Sequence, residues 1–164
     1  SADPDATSAP AVAEGHWISR MTGATSQDDA DDNLILMNDD RISTIQSFTP
    51  PIRFHVIAKT DSNNIRLSYG VKQIVFDWEL DRRDLRIDGF PGSQDNRQKP
   101  GAGSIAKNKW ADIELTVLPD SLTIVVNGNK RYHGNGDFSN VNEPLSVFTH
   151  DAKVSVKSVE FAKP

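Results

Sequence analysis

At 164 residues the chain is long enough to build one domain with its own hydrophobic core, without disulfides or a metal to hold it together. It has no cysteine, which rules out thiol nucleophiles, zinc–thiolate centres and disulfide frameworks. Its 18 Lys and Arg face 23 Asp and Glu, giving a net charge of −5 with no basic cluster, so neither nucleic acid nor an anionic membrane is an expected partner.

Residues 1–15, SADPDATSAPAVAEG, offer almost nothing to bury and predict a flexible linker or the start of a mature exported protein. The first residue is Ser rather than Met, which predicts a processed or excised piece. The folded domain is expected over residues 16–164, beginning at His16-Trp17-Ile18. No apolar stretch reaches the roughly 20 residues of a membrane-spanning helix, and no signal-peptide core is present, so no membrane insertion is expected.

From there apolar residues recur at every second position, the period of half-buried strands, with no long amphipathic helix. Strands are predicted over 33–37, 41–48, 52–59, 65–69, 73–80 and 84–88, separated by turns rich in Asn, Asp, Pro and Gly. Residues 89–103, GFPGSQDNRQKPGAG, read as a long loop. Further strands follow over 110–118, 121–126, 131–133, 145–149 and 153–161. Asn127-Gly128 between two of them predicts a type I′ hairpin, whose two central residues need positive φ. Many short strands with polar turns predict an all-β fold, a two-sheet antiparallel sandwich or a barrel. Strands 52–59, 65–69 and 73–80 are expected in one sheet, and the core is expected to hold Phe54, Val56, Leu67, Phe76, Trp78, Ile113, Leu115, Val117, Ile124, Val126 and Phe161.

If those three strands are neighbours, Arg53, His55, Arg66, Ser68, Asp77 and Glu79 share the other face. Carboxylates and guanidinium groups there offer paired hydrogen bonds to vicinal hydroxyls, and Tyr69 offers a ring to stack on a sugar. The predicted ligand-binding set is therefore His55, Arg66, Tyr69, Asp77 and Glu79, with Asp95, Asn96 and Arg97 of the long loop as a rim. Arg66→Ala is expected to weaken binding by about 1.5–3 kcal/mol while leaving the fold nearly intact. The competing reading is a solvated cross-strand ion-pair lattice beside an ordinary surface loop. The oxygen-rich turns 26–33 and 38–40 leave room for a structural calcium, though such turns are usually just solvated. His16, His55, His133 and His150 lack the spacing of a zinc site, and no nucleotide-binding glycine motif or Gly-x-Ser-x-Gly elbow is present.

Three stretches carry a resemblance: Asn108-Lys109-Trp110-Ala111-Asp112-Ile113-Glu114-Leu115-Thr116-Val117, then Ser121-Leu122-Thr123-Ile124-Val125-Val126-Asn127-Gly128, then Lys157-Ser158-Val159-Glu160-Phe161. Together they resemble the concanavalin A-like lectin/glucanase superfamily, which includes laminin-G-like and DUF1080-type domains. The resemblance implies a jelly-roll sandwich and a function drawn from lectins, glycosidases, lyases and adhesion modules. Glu79, Asp81 and Asp84 are similar in spacing to the ExDxxE strand of laminarinase-type glycosidases. That likeness implies a nucleophile and an acid/base about 5 Å apart.

The leading expectation is a non-catalytic carbohydrate-binding, lectin-like module of a larger exported bacterial protein, secreted or on the cell surface. The alternatives are a carbohydrate-active enzyme, hydrolase or lyase, on the same fold, and a structural or protein-interaction domain.

Overall fold

The computed structural model describes residues 21–23, 27–28, 33–92 and 97–164. Its described elements are all strands, arranged as two antiparallel seven-stranded sheets packed face to face. Numbered in chain order, the front sheet runs β1 (Met21–Gly23), β4 (Arg41–Thr44), β13 (Ser146–Phe148), β6 (Ile65–Ser68), β7 (Gln73–Phe76), β8 (Asp84–Asp88), β9 (Arg97–Pro100). The back sheet runs β12 (Asn129–Asn135), β11 (Ser121–Val126), β10 (Ala111–Leu118), β5 (Ile52–Thr60), β14 (Val154–Ala162), β3 (Leu34–Leu36), β2 (Gln27–Asp28). The period-two pattern predicts the strands, and the resemblance implies the jelly-roll sandwich that they form.

The core lies between the sheets and follows from alternation. Along β5 the residues Ile52, Phe54, Val56, Ala58 and Thr60 turn inward while their neighbours face out. Register then stacks like on like: Phe54 pairs with Leu115 on one side and Phe161 on the other, and Val56 with Ile113 and Val159. Phe48 meets Phe54 edge-on at 5.2 Å, and Phe54 meets Tyr69 at 4.8 Å, tying the back sheet to the front. Each fully buried ring of this kind contributes on the order of 1.5–3 kcal/mol through loss of apolar surface from water. Asn127 and Gly128 both take positive φ, 51° and 80°, and join Val126 to Asn129 in the predicted tight hairpin.

Three expectations fail here, each for a physical reason. β5 is not a neighbour of β6 and β7; it lies in the back sheet between β10 and β14. The chain crosses from one sheet to the other at the turn 61–64, so adjacency in sequence does not give adjacency in a sheet. Trp78 is not in the core, because β7 ends at Phe76 and Asp77 takes φ 50°, which breaks the alternation. Trp78 is half-buried instead, with the Arg86 guanidinium 4.7 Å from its ring centre. Residues 89–103 are not one long loop, since β9 pairs along β8 from Asp84↔Pro100 to Ile87↔Arg97.

Candidate functional site

The outer face of the front sheet carries the richest set of polar side chains. Ile42, Val147, Leu67, Ile74 and Ile87 face the core, so the residues beside them on each strand face out. Register lines these up as one row, Arg41–Phe148–Arg66–Val75–Arg86, and a second, Ser43–Ser146–Ser68, with Gln73 opposite Asp88 beyond it. The Ser43 and Ser146 hydroxyls are 2.7 Å apart and join β4 to β13.

Arg66 is the centre of the arrangement and is only 8% exposed. Its Nε donates to Gln73 Oε1 at 3.3 Å, one terminal nitrogen donates to Asn64 Oδ1, and the other meets Glu79 Oε2 at 3.1 Å. Gln73 passes the chain on by donating to Asp88 Oδ2 at 2.6 Å, and Arg86 Nε donates to Asp88 Oδ1 at 2.9 Å. Asn64 also accepts from the His150 backbone at 2.8 Å and the Thr149 hydroxyl at 3.0 Å, which pins the end of β13 beside Arg66. Burial pushes the Glu79 carboxyl upward, yet the Arg66 hydrogen bond, a backbone hydrogen bond and the charges of Arg66 and His150 together hold it below the usual range. Glu79 is thus ionised at neutral pH, and its Oε1 is buried with no hydrogen-bond partner among the described residues.

Two clefts open over this surface. One, of about 550 Å³, is walled by Arg41, Ser68, Lys72, Gln73, Glu143 and Phe148. The other, of about 380 Å³, includes Arg41, Arg66, Gln73, Glu79, Phe148 and His150. They share Arg41, Gln73 and Phe148 and so form one trough along the sheet face. Both volumes fall within the ~300–1,000 Å³ usual for small-molecule sites. Arg41 lies on Phe148, its guanidinium carbon 4.2 Å from the ring centre, so a planar cation floors the trough where the two clefts meet.

Of the expected ligand-binding residues, Arg66 and Glu79 come together in the trough. His55 does not join them: it lies on the outer face of the back sheet, paired with Asp112 and opposite Glu114 and Glu160. Arg53 is on that same face, beside Thr116. Tyr69 is fully buried, its hydroxyl donating to the Phe48 carbonyl at 2.8 Å, because Ser68 rather than Tyr69 takes the outward position. Asp77 is 2% exposed and holds Arg82 across the β7–β8 turn, Nε to Oδ1 at 3.2 Å. Arg97 pairs with the inward-facing Ile87, so it points away from the trough; it donates to the Tyr132 hydroxyl at 3.0 Å and covers Phe90. Asp95 and Asn96 lie outside the described residues.

Glu79, Asp81 and Asp84 do not form a glycosidase-type strand. They span a turn in which Asp81 N donates to the Trp78 carbonyl and Asp84 N to the Asp81 carbonyl, so alternate residues no longer share a face. Burial, and then the charge of Asp81, raise the Asp84 carboxyl, with Arg86 opposing them, and Asp84 lines neither cleft.

The turn 26–33 lies largely outside the described residues. In the turn 38–40, Asp39 approaches His150 Nδ1 at 3.0 Å, and His150 Nε2 lies 3.4 Å from Asp151. Calcium calls for six to eight oxygen ligands, and this trio supplies two carboxylates and an imidazole, all exposed, which is a poor match.

The residues that sequence reading missed are Arg41, Lys72, Gln73, Phe148 and His150. Parity alone puts Arg41 and Phe148 outward, since each adjoins an inward-facing residue, Ile42 and Val147. No local signal says that their strands are neighbours.

No family model matches the chain, and no curated protein matches it by sequence. Solved structures do match by shape. The carbohydrate-binding module CBM66 from Bacillus subtilis superposes with a TM-score of 0.66 at 12% identity, covering 87% of this chain and 95% of that one. A Bacillus licheniformis beta-glucanase gives 0.68 at 10% identity over 88% of this chain and 92% of its own. The Caenorhabditis elegans galectin LEC-6 gives 0.55 at 14% identity over 78% and 95%. The chain therefore has the concanavalin A-like jelly-roll fold of lectins and glucanases.

Proposed function

We propose that this chain is a non-catalytic carbohydrate-binding module and that the trough over the front sheet is its sugar site. The observation that carries the reading is the trough itself, an open channel in which Ser68, Gln73, Glu143 and His150 offer donors and acceptors beside the stacked Arg41–Phe148 pair. Hydroxyl-rich ligands are held by such combinations of fixed hydrogen-bonding groups and a flat face. The fold neighbours support it, being a carbohydrate-binding module, a galectin and a glucanase. The carboxyl groups speak against hydrolysis: Glu79 is held ionised, and Asp84, the carboxyl that burial raises, lines neither cleft. An acid/base pair of the kind glycosidases use needs one of each facing the same bond. On this reading, supported by the fold neighbours, the chain would be a module of a larger exported bacterial protein.

A glycan array probed with the full chain tests this. Binding without turnover is expected, and Gln73→Ala or Phe148→Ala should weaken it by about tenfold, the worth of one or two good hydrogen bonds or a ring contact. Release of reducing ends, lost in Glu79→Gln, would replace the reading by that of an enzyme. Binding untouched by either trough substitution would move the site elsewhere.

A further inference from the structure

Charge is distributed unevenly along the trough. At the Glu79 end, Arg66 is matched by Glu79, and His150 by Asp39 and Asp151. Arg41, where the two clefts meet, and Lys72, in the larger cleft, have no ion-pair partner among the described residues. The same cleft holds one carboxylate, Glu143, whose Oε1 accepts from the Gly70 backbone at 2.6 Å; its charge offsets one of the two cations and leaves the other in excess. Arg41 is held on the Phe148 ring, and the Lys72 backbone is anchored by its nitrogen donating to the Asp88 carbonyl at 2.8 Å, with its side chain exposed to the cleft. In a chain of net charge −5, a cleft walled by two cations and one carboxylate keeps a positive excess, an electrostatic feature that fits an anionic ligand.

Resting on the carbohydrate reading above, we infer that the trough selects acidic glycans, with a sugar carboxylate seated between Arg41 and Lys72. A planar guanidinium presents paired N–H groups that fit the two oxygens of a carboxylate, and the ammonium adds a point charge from the other wall. A neutral sugar leaves both cations as they are and gains only ordinary hydrogen bonds. The charge-balanced end, where Gln73 and His150 line the smaller cleft above the Arg66–Glu79 pair, then meets hydroxyls of the adjoining residue, so charge recognition and hydroxyl recognition are divided along the trough.

The test uses oligomers of galacturonate, mannuronate and glucuronate, each beside its carboxyl-reduced neutral counterpart, titrated into the full chain by calorimetry. At least one uronate oligomer should bind about tenfold tighter than its reduced form, as a charge-assisted contact implies. Arg41→Ala and Lys72→Ala should each remove most of that difference, the acidic oligomer losing clearly more affinity than its reduced counterpart, with the thermal midpoint unchanged; Arg53→Ala on the back sheet should do nothing. Raising salt from about 0.05 to about 0.5 M should weaken only the acidic oligomers. Equal affinity for acidic and reduced oligomers, with binding still sensitive to Gln73→Ala, would overturn the acid preference and leave the carbohydrate reading standing. Binding of no oligomer of either kind, here or on the array, would overturn both.

Discussion

The guanidinium of Arg66 is held by Asn64, Gln73 and Glu79 at once, which makes it a buried keystone rather than a free arm. Removing it leaves a carboxylate and a buried amide without their partners, and stranded groups of this kind cost more than a lost surface pair. Arg66→Ala should therefore destabilise the fold by about 2–3 kcal/mol, against the expectation from sequence that folding would hardly change. Glu79 sets the pH dependence. Its carboxyl is depressed in the fold below the ordinary value of 4.5, so its stabilisation is present above that value and lost as pH falls through the lower, folded one. The gap between Arg66→Ala and the parent in urea titrations should be full at neutral pH and shrink below about pH 4.5. A gap that stays constant down to about pH 3 would show that the ion pair contributes nothing.

At the level of elements, the strands were legible because alternation is a local signal: β5, β10 and β11 follow it residue by residue. It fails at Asp77, where one positive φ turns Trp78 from the core to the outer face, and nothing in Val75-Phe76-Asp77-Trp78 announces that break. The hairpin within residues 89–103 was hidden for the opposite reason, since the mostly polar Arg97-Gln98-Lys99-Pro100 pairs through its backbone and shows no apolar alternation. Just beyond β9, Gly103 passes so close to β8 that a Cβ would lie 2.1 Å from the Asp84 carbonyl oxygen and 2.7 Å from Leu85 N. Its own carbonyl accepts from Asp77 N at 2.7 Å, so the segment cannot simply swing away. Gly103→Ala should cost about 2–3 kcal/mol by forcing backbone apart, the usual range for overpacking. A thermal midpoint lower by roughly 5–10 °C is expected for a chain of this size, and an unchanged midpoint would mean that β8 yields freely.

At the scale of the whole molecule, the candidate site depends on which strands are neighbours, and that is where sequence reading stopped. Ser43 and Ser146 touch across 103 positions of chain, and the row Arg41–Phe148–Arg66 exists only because β13 inserts between β4 and β6. Pairings of such separation leave no local trace, so sequence reading groups Arg66 and Glu79, which the fold brings together, with His55, which the crossing between sheets carries to the opposite side. On the back, Glu114, Glu160 and Asp112 surround His55, with Arg53 and Lys59 on the same outward face of β5, while Arg41 and Lys72 stand without ion-pair partners among the described residues at the front. An acidic glycan bound beside His55 would gain affinity when one of those three carboxylates is removed. His55→Ala and Glu114→Gln should each leave glycan affinity within about twofold of the parent and, as changes to an exposed pair region, alter stability by under about 1 kcal/mol. A substantial change in glycan binding from either substitution would place the ligand on the back sheet and remove the basis for assigning the trough.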